Sequence, residues 1–215
     1  MRPLGVWSVP RWRPKLVACV SRETEEALHA YWSLLQKWNA RINLIGAATI
    51  GHGWRRHIDD SIQLVDFFPP SDVRHGDIGS GGGLPAIPVQ IMCRAAGFKD
   101  RLVMIEADGR KATFLRLACR VVDIPAEVVT GRIEAVPPLG AQVLTARALA
   151  PLPRLLSLTK RHLCPDGIAI LPKGRKARSE LASADVAWSF DAEVRSSRTE
   201  SEALILCISN IDQKM

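Results

Sequence analysis

No stretch of this sequence runs for the roughly 18 uninterrupted apolar residues that a membrane-spanning helix needs, because Lys, Arg, Pro or Gly breaks every candidate. A helical membrane span is therefore excluded, and a soluble chain is expected. Cysteine is sparse and scattered: Cys19, Cys93, Cys119, Cys164 and Cys207 are odd in number and form no C-x-x-C pair. This spacing supports neither a zinc site nor a disulfide frame, and it fits reduced thiols in a cytoplasm. No internal repeat and no low-complexity tract occurs. Residues 1–20 carry Arg2, Arg11, Arg13 and Lys15 but lack the compact apolar stretch and cleavage site of a secretory signal. Residues 1–22 are expected to be a poorly ordered lead-in, a floppy terminus or misassigned start, in preference to an RNA-stacking role for Trp7 and Trp12.

Acidic residues are in deficit: 22 Asp and Glu face 29 Lys and Arg, giving a formal charge of +7 and a pI of about 9.5. A polyanionic partner is favoured by that balance. The apolar share of 47% and charged share of 24% are those of an ordinary globular chain, which excludes disorder over most of the 215 residues.

Ser21 followed by Glu23 to Glu26 opens a helical pattern in which Leu28, Tyr31, Trp32, Leu35 and Trp38 recur on one face. A second helix is predicted from Trp54 to Phe68 and ends at Pro69 and Pro70. Beyond residue 70 the pattern changes. β-rich runs at His75–Gly79, Arg101–Glu106, Glu127–Thr130, Gln142–Thr145 and Gly167–Leu171 alternate with helical stretches at Leu84–Ala96, Gly109–Val122, Leu152–Leu163 and Arg175–Ala184. That alternation predicts an α/β fold with a mostly parallel, helix-covered sheet. Trp188–Arg195 and Ala203–Ser209 leave little room for a helix between them, so an antiparallel hairpin at the sheet edge is expected. The organisation follows: a lead-in over 1–22, a helical extension over 23–70 and a Rossmann-like domain over 71–215, packed as one unit.

The most informative stretch is Asp77-Ile-Gly79-Ser-Gly81-Gly-Gly83-Leu-Pro85, which follows a strand and opens a helix. Glycines there admit close backbone approach, and the helix start offers free N–H groups to a carboxylate or phosphate. A dinucleotide fingerprint needs a third glycine where Leu84 stands, and no G-K-[ST] is present for a nucleoside triphosphate. An acid before G-x-G-x-G is the pattern of S-adenosylmethionine-dependent methyltransferases. Its second half is an acid ending the next strand, placed to hold two ribose hydroxyls. Glu106 occupies that position, about twenty residues past the loop, and a cap for the helix near Gly109 is its other reading. His57, Asp60 and Ser61 do not form a hydrolase triad, since they crowd one helix and no nucleophile elbow exists. They are expected to steady the backbone of the cofactor loop.

These motifs, with Leu34-Leu-Gln-Lys-Trp-Asn39, Ile42-Asn-Leu44, Arg56-His57-Ile58, Asp60-Ser61, Arg110-Lys111, Phe114-Leu115, Gly131-Arg-Ile-Glu134, Ala146-Arg-Ala148 and Lys173-Gly174, resemble the glucose-inhibited-division-B or RsmG family. The likeness runs from about residue 30 to about residue 175. Ala86 departs from it where the family often has glycine, and the two termini match weakly. The resemblance implies methyl transfer from S-adenosylmethionine to N7 of a guanine in small-subunit (16S) ribosomal RNA, near the decoding region. It also implies cofactor contacts at Gly79, Leu84, Ile133, Glu134 and Arg147, beside Asp77, Gly81, Gly83 and Glu106 from the loop reading. Arg147 pairs the methionine carboxylate or orients the guanine in this reading.

Guanine N7 carries a free lone pair, so no catalytic base is expected, and rate is expected from alignment. RNA contacts are sought among Arg55, Arg56, Arg110, Lys111, Lys173, Arg175, Lys176 and Arg178. The partners expected are small-subunit ribosomal RNA or the small ribosomal particle; no metal and no membrane are expected, and the chain is expected to be a cytoplasmic monomer. A methyltransferase for another RNA, a protein or a small molecule, a nicotinamide oxidoreductase and a non-catalytic RNA-binding or assembly factor stay open on sequence. Cofactor titration separates the last two from the main reading.

Overall fold

The computed structural model describes residues 20–46 and 53–214; the lead-in with Trp7 and Trp12 lies outside them. Five strands run parallel: β1 (Arg74–Ile78), β2 (Arg101–Glu106), β3 (Ala126–Thr130), β4 (Ala141–Thr145) and β5 (Leu163–Lys173). The antiparallel hairpin of β6 (Trp188–Ser196) and β7 (Leu204–Gln213) completes a seven-stranded sheet of order β3-β2-β1-β4-β5-β7-β6. The predicted hairpin is present, with β7 slotted between β5 and β6. Runs such as Leu-Val-Met-Ile in β2 are apolar throughout because helices cover both faces of a parallel sheet.

Helices α3 (Ala86–Ala95), α4 (Gly109–Val121) and α5 (Leu152–His162) make the crossovers β1–β2, β2–β3 and β4–β5, and α6 (Ala177–Ala187) leads into the hairpin. After β3 the chain returns to pair β4 with the far side of β1. Neighbouring strands whose connections leave in opposite directions open a crevice at their carboxyl ends, where open α/β sheets bind ligands. Asp77 and Thr145 sit opposite each other there.

The first helix, α1 (Arg22–Asn39), starts at Ser21, whose hydroxyl accepts from the Thr24 N–H. Its apolar stripe is core: Leu28, Tyr31, Trp32 and Leu35 share one cluster with Ile87, Met92, Phe114 and Leu115. On the opposite face Leu152, Leu155, Leu156, Ala177 and Leu206 form a second cluster.

Two elements depart from expectation. The stretch predicted as one helix to Phe68 is a π-helical Trp54–Asp59, a single turn α2 (Asp60–Ile62) and a 3-10 Gln63–Phe67. The Ser61 hydroxyl donates to the His57 carbonyl at 2.5 Å, the back-bonding that bends helices. Gly53 lies under Trp32, whose ring would be 2.4 Å from any Cβ there. Strand β5 begins at Leu163, earlier than expected, pairs there with Ala141 and rejoins β4 at Ile168, so Cys164–Gly167 bulges out. Gly167 is required in the bulge, since a Cβ would sit 2.8 Å from the Ala141 carbonyl oxygen. Among the described residues no helix is long and apolar enough to cross a membrane, and no group of three or more His, Cys, Asp or Glu is placed to hold a metal.

Candidate functional site

The loop after β1 turns on three glycines in the left-handed region, Gly79, Gly81 and Gly83, with φ of 69°, 53° and 82°. Two are also closed to side chains: a Cβ at Gly79 would lie 2.6 Å from Leu149, and one at Gly83 would lie 2.5 Å from Ile87. At Gly81 the nearest atom is 3.9 Å away, so that peptide faces open space. Its N–H donates to Glu106 Oε2 at 2.8 Å, and the Asp108 N–H donates to Oε1 at 2.8 Å. Glu106 thus locks the loop while each carboxylate oxygen keeps accepting capacity for a ligand hydroxyl. The cap of α4 is Asp108, which accepts from Arg110 and Lys111 N–H, so capping does not account for Glu106.

Asp77 is buried, and its Oδ1 accepts the Thr145 hydroxyl at 2.5 Å; Thr145 Oγ1 in turn lies 2.8 Å from His75 Nε2. With the threonine proton given to Asp77, His75 Nε2 is the donor to Thr145. Burial pushes Asp77 up to about 7 and His75 down to about 3, so both buried groups favour the neutral form near pH 6. Asp77 Oδ2 is buried without a hydrogen-bond partner among the described residues. Leu84 is buried beside the loop, and Ile133 is buried on the turn after β3, its carbonyl 3.0 Å from His162 Nε2. Glu134 is exposed and lies 3.6 Å from Arg154.

Arg147 follows β4 and bounds the crevice. Its Nη2 donates to His57 Nδ1 at 2.8 Å and to the Arg56 carbonyl at 3.2 Å, while Nη1 stands 3.9 Å from Asp60 Oδ2. Accepting from a guanidinium requires a neutral ring, and burial, with help from Arg147 and Arg56, pushes His57 down to about 4. Burial also lowers the Arg147 guanidinium, with Asp60 opposing. His57 and Asp60 therefore face Arg147, where the sequence had suggested the backbone of the cofactor loop. That backbone is held by Tyr31, the one tyrosine of the chain, whose hydroxyl donates to the Gly82 carbonyl at 2.5 Å.

Beside Arg147 opens a cleft of about 1430 Å³, lined by Trp32, Trp54, Arg55, Arg56, Asp60 and Lys173, among others, and by the hairpin tip. The candidate RNA residues divide accordingly. Arg55 and Arg56 are exposed at the cleft. Lys173 lines it too, but its side chain is 10% exposed and its ammonium is committed to the Ala150 carbonyl and Glu180 at 2.8 and 2.9 Å. Arg175 lies 3.7 Å from Glu202, and Lys176 and Arg178 are exposed at the start of α6. Arg110 is held 3.1 Å from Asp108 beside Lys111 at the start of α4, outside the cleft lining.

The sequence profile of the GidB family, described as rRNA small subunit methyltransferase G, matches residues 24–205. The chain belongs to this family. Relatives named Ribosomal RNA small subunit methyltransferase G include one from Cereibacter sphaeroides, 45% identical over 187 residues and covering 87% of this chain and 91% of the relative. One from Paracoccus denitrificans is 47% identical over 193 residues, covering 89% and 97%. Among solved structures, ribosomal protein L11 methylase from Lactobacillus delbrueckii subsp. bulgaricus aligns at a TM-score of 0.56 and 17% identity, covering 72% of this chain and 78% of that one. A variant of MtNAS in complex with S-adenosylmethionine aligns at 0.56 and 17%, covering 87% and 74%. At such identities these structures show the fold alone.

For this GidB-family chain, sequence reasoning missed Tyr31, Thr145, Gln63 and the hairpin tip. Tyr31 sat in a stripe read as packing, which it is, and only its hydroxyl carries the extra contact. Thr145 had a usable signal: its register opposite Asp77 follows from aligning the two parallel strands. The tip left none, because its partners lie well over a hundred residues away.

Proposed function

We propose that this chain transfers the methyl group of S-adenosylmethionine to N7 of a guanine in small-subunit ribosomal RNA near the decoding region, in the cytoplasm. The observation that carries the reading is the Gly81–Glu106 lock at the carboxyl ends of β1 and β2, in a chain of the rRNA small subunit methyltransferase G family. A glycine loop open to ligand at Gly81 and a carboxylate with spare acceptor capacity suit a hydroxyl-bearing cofactor.

Glu106 would hold the ribose hydroxyls, Leu84 and Ile133 would flank the adenine, and the Gly79 and Gly81 peptides would admit the methionine portion. Glu134, exposed on the turn of Ile133, would offer its backbone. When bound, the cofactor supplies a methyl group on an electrophilic sulfonium. The chain's own residues bind, orient and exclude water. N7 loses no proton on methylation, so no side chain has to act as a base. His57 serves by accepting from Arg147, and Arg147, whose buried Nη1 carries no hydrogen bond among the described residues, would pair the cofactor carboxylate or orient the guanine. Arg55 and Arg56 would meet phosphates at the cleft mouth. Lys173 would shape the wall through Glu180 and make no phosphate contact.

The experiment is transfer of a labelled methyl group from S-adenosylmethionine to purified small ribosomal subunits from a strain lacking this gene, followed by mapping of the modified base. Label on N7 of a ribosomal guanine is expected. Cofactor binding without transfer to the particle or its RNA would redirect the reading to another substrate.

A further inference from the structure

Asp60 bridges two parts of the molecule far apart in sequence. Its Oδ1 accepts from Thr199 Oγ1 at 2.6 Å, Gln63 Nε2 at 2.8 Å and Ser197 Oγ at 3.3 Å. Gln63, itself buried, returns a bond to the hairpin by accepting the Arg198 N–H at 2.9 Å, and the Arg198 guanidinium reaches Asp66 at 2.8 Å. The tip of the β6–β7 hairpin is therefore fastened to the Trp54–Phe67 segment, and Asp60 Oδ1 is filled by donors from both.

With one oxygen held in this way the carboxylate cannot turn freely. Oδ2 faces Arg147 Nη1 at 3.9 Å, within reach of charge but beyond a hydrogen bond. Fastening a hairpin does not require that charge: an asparagine carbonyl would accept the same bonds from Thr199 and Gln63 without the cost of partly burying a carboxylate. The negative charge finds its use in Arg147, whose side chain is 18% exposed. His57 and the Arg56 carbonyl hold Nη2 from one side, the Asp60 field steers Nη1 from the other, and Nη1 carries no hydrogen bond of its own among the described residues.

We propose that Asp60 is a positioning residue for Arg147 in the methyl-transfer reaction, and that the hairpin tip at Ser197 to Thr199 holds Asp60 in that attitude. The inference rests on the reading given under Proposed function. The wall of the substrate cleft and the arginine at the cofactor crevice then move as one body.

The test compares Asp60→Asn, Thr199→Val, Thr199→Ser and the double variant Asp60→Asn/Thr199→Val in the full chain, reading kcat, KM for small subunits, melting temperature and the side-chain Nε–H signals of nitrogen-labelled arginine. Asp60→Asn keeps the fastening bonds and removes the charge. It is expected to keep its melting temperature, lose about thirtyfold in kcat with KM changed less than about threefold, and shift or broaden the Arg147 signal. Thr199→Val is expected to lose about tenfold in kcat, Thr199→Ser to restore it, and the double variant to match Asp60→Asn within about twofold, because both act through one side chain.

Wild-type kcat and an unmoved Arg147 signal in Asp60→Asn would overturn the proposal. So would additive losses in the double variant, or a Thr199→Ser as slow as Thr199→Val. If the unaltered chain transfers no methyl group, the functional reading fails, and the Arg147 signal alone then decides whether Asp60 positions it.

Discussion

The two banks of the crevice are built on different physics. On the β1–β2 bank the working groups are backbone: peptides of Gly79 to Gly83, bent through left-handed φ, latched by Glu106 and by the Tyr31 hydroxyl. On the β4 bank they are side chains, with Arg147, His57, Asp60 and Thr199 drawn from three separated stretches. The first bank depends on the absence of side chains at Gly79 and Gly83, where an added methyl would meet Leu149 and Ile87. The second depends on charge and should tolerate changes of shape better than changes of sign.

The sharpest way to break that contrast is Gly83→Ala. A left-handed φ and a Cβ 2.5 Å from Ile87 are expected to cost about 3 kcal/mol, read as a fall in melting temperature with loss of cofactor binding. An unchanged melting temperature would show that the loop is not limited by space. Next comes Glu106→Gln, which keeps one acceptor oxygen but loses the charge and a latch. Cofactor dissociation, measured by calorimetry, should weaken about fiftyfold with RNA affinity unchanged. Tyr31→Phe leaves the buried Gly82 carbonyl without its donor and should weaken cofactor binding about fivefold, at a stability cost of roughly 1 to 2 kcal/mol. Equal affinity for the cofactor in that variant would mean that the N-terminal helix packs against the loop without shaping it.

The smallest effect is a change of slope with pH. Asp77 has a folded value of about 7 against an ordinary 3.8, so its stabilising contribution is complete below pH 3.8 and is lost as pH rises through about 7. His75, at about 3 against 6.5, contributes stability that is present above pH 6.5 and lost as pH falls towards 3; His57, at about 4, acts in the same sense. The two tendencies oppose each other between about pH 4 and 6.5. Asp77→Asn removes one of them, so its melting temperature should climb with pH across that window more steeply than that of the unaltered chain. Parallel curves would mean that Asp77 stays ionised.

The legibility of the sequence follows the same divide. Asp77 to Pro85 and Glu106 could be recognised because strand, turn and helix start are consecutive, and each glycine answers a local demand. The sheet and its edge hairpin were legible because β-rich runs, broken by helical periodicity, leave few topologies. The irregular winding from Trp54 to Phe67 was not, since Ile58, Ile62, Val65 and Phe68 satisfy helical spacing whether the turns are wide or tight. Lys173 looked like a phosphate ligand within a basic run, and only the fold brings Glu180 and the Ala150 carbonyl to its ammonium. Asp60 looked structural because its partners, Thr199 and Arg147, lie 139 and 87 positions away, a separation that no local pattern encodes.

The place of β7 bears on how the molecule is made. It leaves the ribosome after every other strand, yet lies between β5 and β6, bonded to both. Until Gln213 has emerged, β5 presents an open edge, and β6 has no strand to join. A growing chain can complete the parallel half, glycine loop included, well before the hairpin that holds Asp60. Binding of the cofactor is thus available earlier in biosynthesis than the fastening of Asp60 beside Arg147, and a chain cut short before β7 would hold a ligand while exposing a sticky sheet edge to its neighbours.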